Sequence, residues 1–343
     1  MPYPEFVGDD SSLLRRYLTP ELYDSLKNLK SRYGYTIEDL IRSGVENPDS
    51  SIGVYVGDEE SYELFSPLLY PIIESYHGFD PRKDTHRSDM EPSHLDITNP
   101  DPSGEYILST RIRVGRNLSC FPLGPLISHR ERLIAECMIS GALEALDGEL
   151  SGKYYPLENM GEDTRRRLVE EHFLFKEGDR FLESAGLNRE WPSGRGIYHN
   201  ENRTFLVWVN EEDQLRIISM QRGGDIGEVF ERLSIAVEKL RKRLLFAYSP
   251  KLGYLTSCPT NLGTAMRASV HIRLPKLGEN MGLFKEICDA HQLQIRGIDG
   301  EHSDSKGSIF DVSNRRRLGI TEVEAVETMA DGVKKIIAAE KEL

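Results

Sequence analysis

The chain has 343 residues, enough for about two domains of ordinary size. Apolar residues make up 38% and charged residues 29%, an ordinary globular balance, and no run approaches the roughly 18 apolar residues a membrane helix needs. A formal net charge of −13 sets the chain against nucleic acid and anionic membrane surfaces, so any anionic ligand must be held by a local cluster of arginines.

Residues 1–76 read as helices and turns. Thr19-Pro20 places proline at a first helical position. Thr36-Ile-Glu-Asp39 resembles a capping box, and Tyr62, Phe65, Leu68, Leu69, Ile72, Ile73 and Tyr76 recur at helical spacing. Only Ile52–Val56 could be a short strand. Residues 77–105 carry Pro81, Pro92, Pro100 and Pro102 among polar residues and read as a linker. From 106 to 343 strands alternate with longer helices. Strands are expected at 106–114, 204–210, 215–220, 266–274 and 293–296, and helices at 130–147, 162–173, 225–246 and 321–341. The fold class is therefore α+β: a small all-α N-terminal domain, then a larger domain with helices on a mostly antiparallel sheet.

Alternation carries the most information. In 266–274 the even positions are apolar, while Arg267, Ser269, His271 and Arg273 occupy the odd ones. A strand sends these two sets to opposite faces. Ser109, Arg111 and Arg113 share one face of the strand before, and two further strands bring Arg216 and Arg296. Any one arginine is more often a solvated side chain beside an acid. Several gathered on one sheet face repel one another unless an anion holds them, and a polyphosphate matches guanidinium forks best. The phosphate loops that would supply an alternative are missing, since Gly223-Gly224-Asp225-Ile226-Gly227 fits neither common glycine-rich pattern.

Glu211-Glu212-Asp213 lies at a strand turn next to the strand bearing Arg216 and, taken alone, reads as a solvated acidic turn. Four cysteines are widely spaced, as in a reduced, cytosolic protein, and the start has no secretory pattern. Cys120, Cys137 and Cys288 are expected in the core. Cys258 sits in a polar loop leading into the arginine strand, where guanidinium neighbours would lower its pKa, but a cysteine without a motif is more often structural, and composition and spacing leave both readings open.

The run Leu255-Thr-Ser-Cys-Pro-Thr-Asn-Leu-Gly-Thr264 resembles the active-site segment of phosphagen kinases, the ATP:guanidino phosphotransferases. Segments 109–113, 191–199, 204–213 and 310–314 resemble others of that family in the same order, so the likeness covers almost the whole chain. It implies a glutamine-synthetase-like catalytic domain with an eight-stranded antiparallel sheet, ATP/ADP as substrate and Mg²⁺ bound through ATP, with no metal site of the protein's own. It places ATP on Ser109, Arg111, Arg113, His172, Arg216, Arg267, His271, Arg296 and Asp311. Glu212, Glu301 and Cys258 would hold the guanidine, with Arg216 also acting in catalysis. Two features favour the arginine-accepting members. The loop between Pro48 and Gly57 is short, so Ser50, Ser51, Ile52, Gly53 and Tyr55 would meet a larger substrate, and Gly300-Glu301-His302 supplies a second carboxylate. Taurocyamine, lombricine and creatine are the alternative acceptors, and a protein-arginine kinase is a further one that would not need residues 1–76. The expected state is a cytoplasmic monomer acting on small molecules, with no nucleic-acid or membrane partner.

Overall fold

The computed structural model describes residues 2–6, 11–296 and 307–343. Its N-terminal part is helical. α1 (Leu13–Tyr17), α2 (Pro20–Leu26), α3 (Ile37–Glu46), α4 (Glu59–Leu64) and α5 (Ser66–His77) pack around one apolar cluster. Side-chain oxygens stop the first four: Ser12, Thr19, Thr36 and Asp58 each accept from a backbone N–H of the first turn. Thr36 and Asp39 form the expected capping box.

The 52–56 segment is not a strand. Its groups are satisfied by irregular contacts: Leu14 N–H donates to Ile52 O, Tyr55 N–H to Leu40 O, and Val56 N–H to Ser257 O at 2.8 Å. The loop is seated on α3 through two glycines. A Cβ on Gly44 would lie 2.3 Å from Gly53 O, and Gly53 itself adopts φ +77 against Leu14.

The larger part is an eight-stranded sheet in which every pairing is antiparallel. Its strands are β1 (Ile107–Arg116), β2 (Gly152–Pro156), β3 (Gly196–Asn200), β4 (Phe205–Val209), β5 (Leu215–Arg222), β8 (Met266–Arg273), β9 (Leu293–Arg296) and β10 (Ile309–Asn314). A two-stranded ribbon, β6 (Tyr248–Ser249) and β7 (Gly253–Tyr254), stands apart. Spatial order is β2-β3-β4-β5-β1-β8-β10-β9. The helices are α6 (His129–Glu144), α7 (Glu162–Glu170), α8 (Arg180–Ser184), α9 (Ile226–Arg241), α10 (Pro275–Glu279), α11 (Met281–Ala290) and α12 (Glu322–Glu342).

Alternation along the strands decides which face is covered. Met266, Ala268, Val270 and Ile272 are fully buried, in one cluster with Ile112, Val114 and Ile217 and with apolar residues of α6, α9 and α12. The opposite face carries the arginines on β1, β5 and β8. Over β3–β5 it is covered by a smaller cluster of Leu168, Leu174 and Phe175 on Ile197, Leu206, Trp208 and Ile218.

Two cysteines correct the sequence reading. Cys120 and Cys137 are exposed, whereas Cys258 and Cys288 are buried. Cys137 lies on the outer side of α6 beside exposed Leu133, Ile134 and Met138, so an apolar neighbourhood in sequence did not mean burial.

Candidate functional site

Sheet register lines the odd-numbered residues into rows, because antiparallel partners share a face. Ser109, His271, Asp311 and Arg296 form one row across β1, β8, β10 and β9. Arg111, Ser269 and Ser313 form the next, and Arg113 stands opposite Arg267 in the one after. Arg216 on β5 pairs with Trp208 on β4. Five arginines from four strands thus meet on one face. A small pocket among them is lined by Arg113, Arg216, Arg267, Arg317, Asn261 and Asp213.

The electrostatics show how much this gathering costs. Burial, then Arg267 and Arg216, hold the Arg111 guanidinium down at about 10. Burial together with Arg216, Arg111 and Arg267 pushes Arg113 down further still. The Nε atoms of Arg111, Arg267 and Arg317 are buried and meet no hydrogen-bond partner among the described residues. A guanidinium that is depressed by its own neighbours and left with donors to spare is a site for an anion. Two supports steady the patch. The Trp208 ring lies 5.3 Å from Arg111 and 5.8 Å from Arg216, and Arg267 is held by Asp311 at 2.8 Å.

At one end stands a carboxylate group. Arg216 donates to Glu211 at 2.7 Å and to Glu212 at 3.0 Å. Burial tends to lower the Arg216 pKa, but Glu211, Glu212 and Asp213 together outweigh it and raise it. Burial raises the Glu212 carboxyl to about 7; Arg216 opposes that rise, while Asp213 and Glu211 add to it. The solvated-turn reading of 211–213 is excluded by this enclosure. Asp213 is buried and accepts from Asn117 at 2.7 Å and from Ser257 N–H at 2.9 Å. It anchors the cysteine loop to the acidic turn, while Ser257 Oγ donates to Glu212 O.

Cys258 is where the sequence expectation fails. Burial is the largest influence on its thiol and adjacent Glu212 the next, and they push it up to about 12. Thr260, 3.1 Å from the sulfur, only partly offsets them. The strongest charge acting on the thiol is thus the Glu212 carboxylate, which raises it, and not one of the guanidinium groups expected to lower it.

Of the expected substrate loop, Tyr55 is buried and feels Cys258 and Glu212 most strongly after burial, so its ring stands at the same spot. Ser50 spends its hydroxyl on Gly53 N–H at 3.0 Å, and Ser51 and Ile52 offer their carbonyls to Leu13 and Leu14. These four residues shape the loop. His172, at φ +60 just beyond α7, lies near enough to His271 to help depress it. Burial is the main cause of that depression; Asp311 opposes it, and Arg111 and Arg267 add to it. Glu301 lies outside the described residues.

The structure adds Arg317, Asn261 and Glu211. Arg317 donates to Thr260 O at 3.0 Å and to Asn261 Oδ1, and Asn261 Nδ2 donates to Glu212 at 3.3 Å. The signal for Arg317 was present in the run Arg315-Arg316-Arg317 immediately after β10, but a charge run gives no hint of which member turns inward.

Comparison with known proteins settles the family. Residues 8–74 match the ATP:guanido phosphotransferase N-terminal domain, and residues 135–343 match its C-terminal catalytic domain. The chain belongs to the ATP:guanido phosphotransferase family. Within that family it is 56% identical over 99% of its length to an arginine kinase of Anthopleura japonica, spanning 48% of that relative. It is 50% identical over 99% of its length to the arginine kinase Lit v 2 of Penaeus vannamei, spanning 95% of it. Among solved structures of the family, it resembles the duplicated taurocyamine kinase of Schistosoma mansoni with bound transition-state analogue components. The TM-score is 0.92 at 44% identity, over 98% of this chain and 47% of that one. A lombricine kinase gives a TM-score of 0.89 at 39% identity, over 96% of this chain and 92% of the other. The small helical part and the larger sheet part are those of this family.

Proposed function

We propose that this chain reversibly transfers the γ-phosphoryl group of ATP to the guanidino group of L-arginine, giving ADP and phosphoarginine. The observation that carries the reading is the juxtaposition of four guanidinium groups, Arg111, Arg113, Arg216 and Arg267, with the half-buried Glu212 carboxylate at their edge. A polyanion and a cation can be held side by side there. Relatives named arginine kinase, 50–56% identical over nearly the whole chain, support the acceptor.

Phosphoryl transfer asks positioning and charge neutralisation of the protein more than covalent help. The arginine rows would hold the triphosphate, and His172, His271 and Asp311 would flank its nucleoside end. A patch of guanidinium groups offers a metal cation no ligand, so Mg²⁺ belongs on the phosphate oxygens, where this ion commonly binds with few protein ligands. Glu212 would orient the acceptor guanidinium and take a proton as a nitrogen attacks phosphorus in line. Its raised pKa matches a proton acceptor working near neutrality. Cys258, neutral while Glu212 stands beside it, would become easier to ionise once a substrate cation sits between them. It would then stabilise the remaining positive charge without forming a covalent intermediate.

A coupled assay of ADP release with arginine, taurocyamine, lombricine and creatine side by side tests the proposal. Arginine should give the highest kcat/KM. A higher value with taurocyamine or lombricine would move the acceptor to that compound, and no acceptor-dependent release at all would remove the kinase reading.

A further inference from the structure

The row of the sheet that ends at Arg113 and Arg267 has a second cationic end. Followed the other way, it runs through Ile218 on β5 and Leu206 on β4 to His199 on β3 and Lys153 on edge strand β2. Leu206 and Ile218 are buried under Leu168 of α7. Three strand spacings part His199 from Arg113, on the order of 14 Å. The two ends are therefore separate places on one face, divided by an apolar wall.

At the β2–β3 end a groove of about 440 Å³ opens between the sheet and α7. That volume lies within the range of small-molecule sites, roughly 300–1,000 Å³. Lys153, Arg167, Arg203 and His199 line it together with Tyr155 and apolar residues, and no carboxylate is among its lining residues. The Tyr155 and His199 rings stack on each other at 5.0 Å with their planes 15° apart, so only an outer face of the pair is left as a platform for a third ring. Lys153 Nζ lies 5.6 Å from the Tyr155 ring centre. Arg203 is steadied by Glu171 at 3.1 Å and by the Phe173 ring at 4.9 Å. Arg167 is exposed and pairs with no carboxylate among the described residues. In a chain of net charge −13, a groove that collects three full cations around an aromatic platform is complementary to a ligand with both a ring and an anionic group.

We propose that this groove binds a small aromatic phosphate monoester, a planar ring stacked on the outer face of the Tyr155–His199 pair with its phosphate among Lys153, Arg167 and Arg203. Guanidinium and ammonium groups select phosphate, and the stacked rings select a flat body over a bare ion.

Phenyl phosphate is the probe, titrated calorimetrically into the full chain with MgADP present to occupy the arginine patch. Saturable one-to-one binding is expected, weakened at least tenfold in the Lys153→Gln/Arg167→Gln double variant and in the single variant Arg167→Glu. Both altered side chains are exposed, and the thermal unfolding and turnover of each variant should match the parent. Inorganic phosphate should bind at least tenfold more weakly than phenyl phosphate. No saturable binding, binding unchanged in both variants, or binding that MgADP abolishes would overturn the proposal, and so would inorganic phosphate binding as tightly as the ring-bearing probe. The outcome is independent of which guanidine the enzyme phosphorylates, because no turnover with an acceptor enters the binding measurement.

Discussion

At the scale of single residues, the proposed chemistry concentrates on Glu212. It is a carboxylate in a half-buried corner where two guanidinium groups, Arg216 and Arg113, support its charge and two further acids oppose it. In Glu212→Gln the shape and one hydrogen-bonding oxygen remain, but the proton acceptor is gone. We expect kcat to fall by about 10²–10⁴, the usual scale for a lost general base. MgATP affinity should change only a few-fold, since Arg216 keeps Glu211 at 2.7 Å. Initial rates and a calorimetric titration of the same variant separate the two effects. The sign of the pH dependence follows from the raised carboxyl. Protonated Glu212 neither holds a guanidinium nor accepts a proton, so kcat/KM for the acceptor should rise with pH through about 7 and level off above it. A profile already flat from pH 5.5 to 8 would place the proton acceptor elsewhere.

The elements show why parts of this site were readable in sequence and others were not. Arg111, Arg113, Arg267 and His271 announced themselves because a strand has a period of two and their partners Ile112, Val114, Ala268 and Val270 are uniformly apolar. β2 and β3 carried no such signal. Tyr154 and Tyr155 are both half-buried, and Gly196–Asn200 is packed on both faces, which removes the alternation. The Cys258 thiol misled because sequence lists neighbours without distances. The arginines are close in chain order, yet Glu212 is the charge that reaches the sulfur. The loop at 47–56 depends on something even less visible, the contact of Gly44 in α3 with Gly53. Gly44→Ala would gain about 1 kcal/mol of helix propensity. Its Cβ would also meet backbone atoms at 2.3 and 2.5 Å that have no rotamer to change. Overpacking of that kind costs about 1–3 kcal/mol, so the clash should win. We expect a lower unfolding temperature and, because the loop carrying Tyr55 must shift, an acceptor KM raised roughly tenfold with the ATP KM little changed. Equal rises in both would show that the loop does not serve the acceptor alone.

For the whole molecule, the question is whether the helical N-terminal part can move as a body against the rest. We propose boundaries at 76 and 106, with 77–105 as connector, but the packing does not stop there. The apolar cluster that holds Leu40, Val54, Tyr62 and Leu69 continues through Leu123, Leu187, Leu252, Leu255 and Leu262 without a polar break. Buried hydrogen bonds cross at the same place: Tyr62 Oη donates to Thr256 O at 2.7 Å, and His77 Nε2 lies 2.9 Å from Pro259 O. At the rim, Arg180 at the start of α8 binds Asp49, and Ser43 donates to Phe181 O. The Arg180–Asp49 pair is exposed and individually weak. The apolar continuity is not, and parts that share a large hydrophobic interface unfold together. Pulsed hydrogen exchange across a urea series should therefore give one midpoint for peptides from α3 and α5 and for peptides from β4 and β5. Tryptophan emission should give the same midpoint, since Trp191 and Trp208 both lie in the larger part. An earlier midpoint for α3 and α5 would make the N-terminal part a separately folding unit. If the midpoints coincide, any closure over the substrates must come from the rim, where Asp49 meets Arg180, because the Cys258 loop and the loop carrying Tyr55 are already fixed to one core.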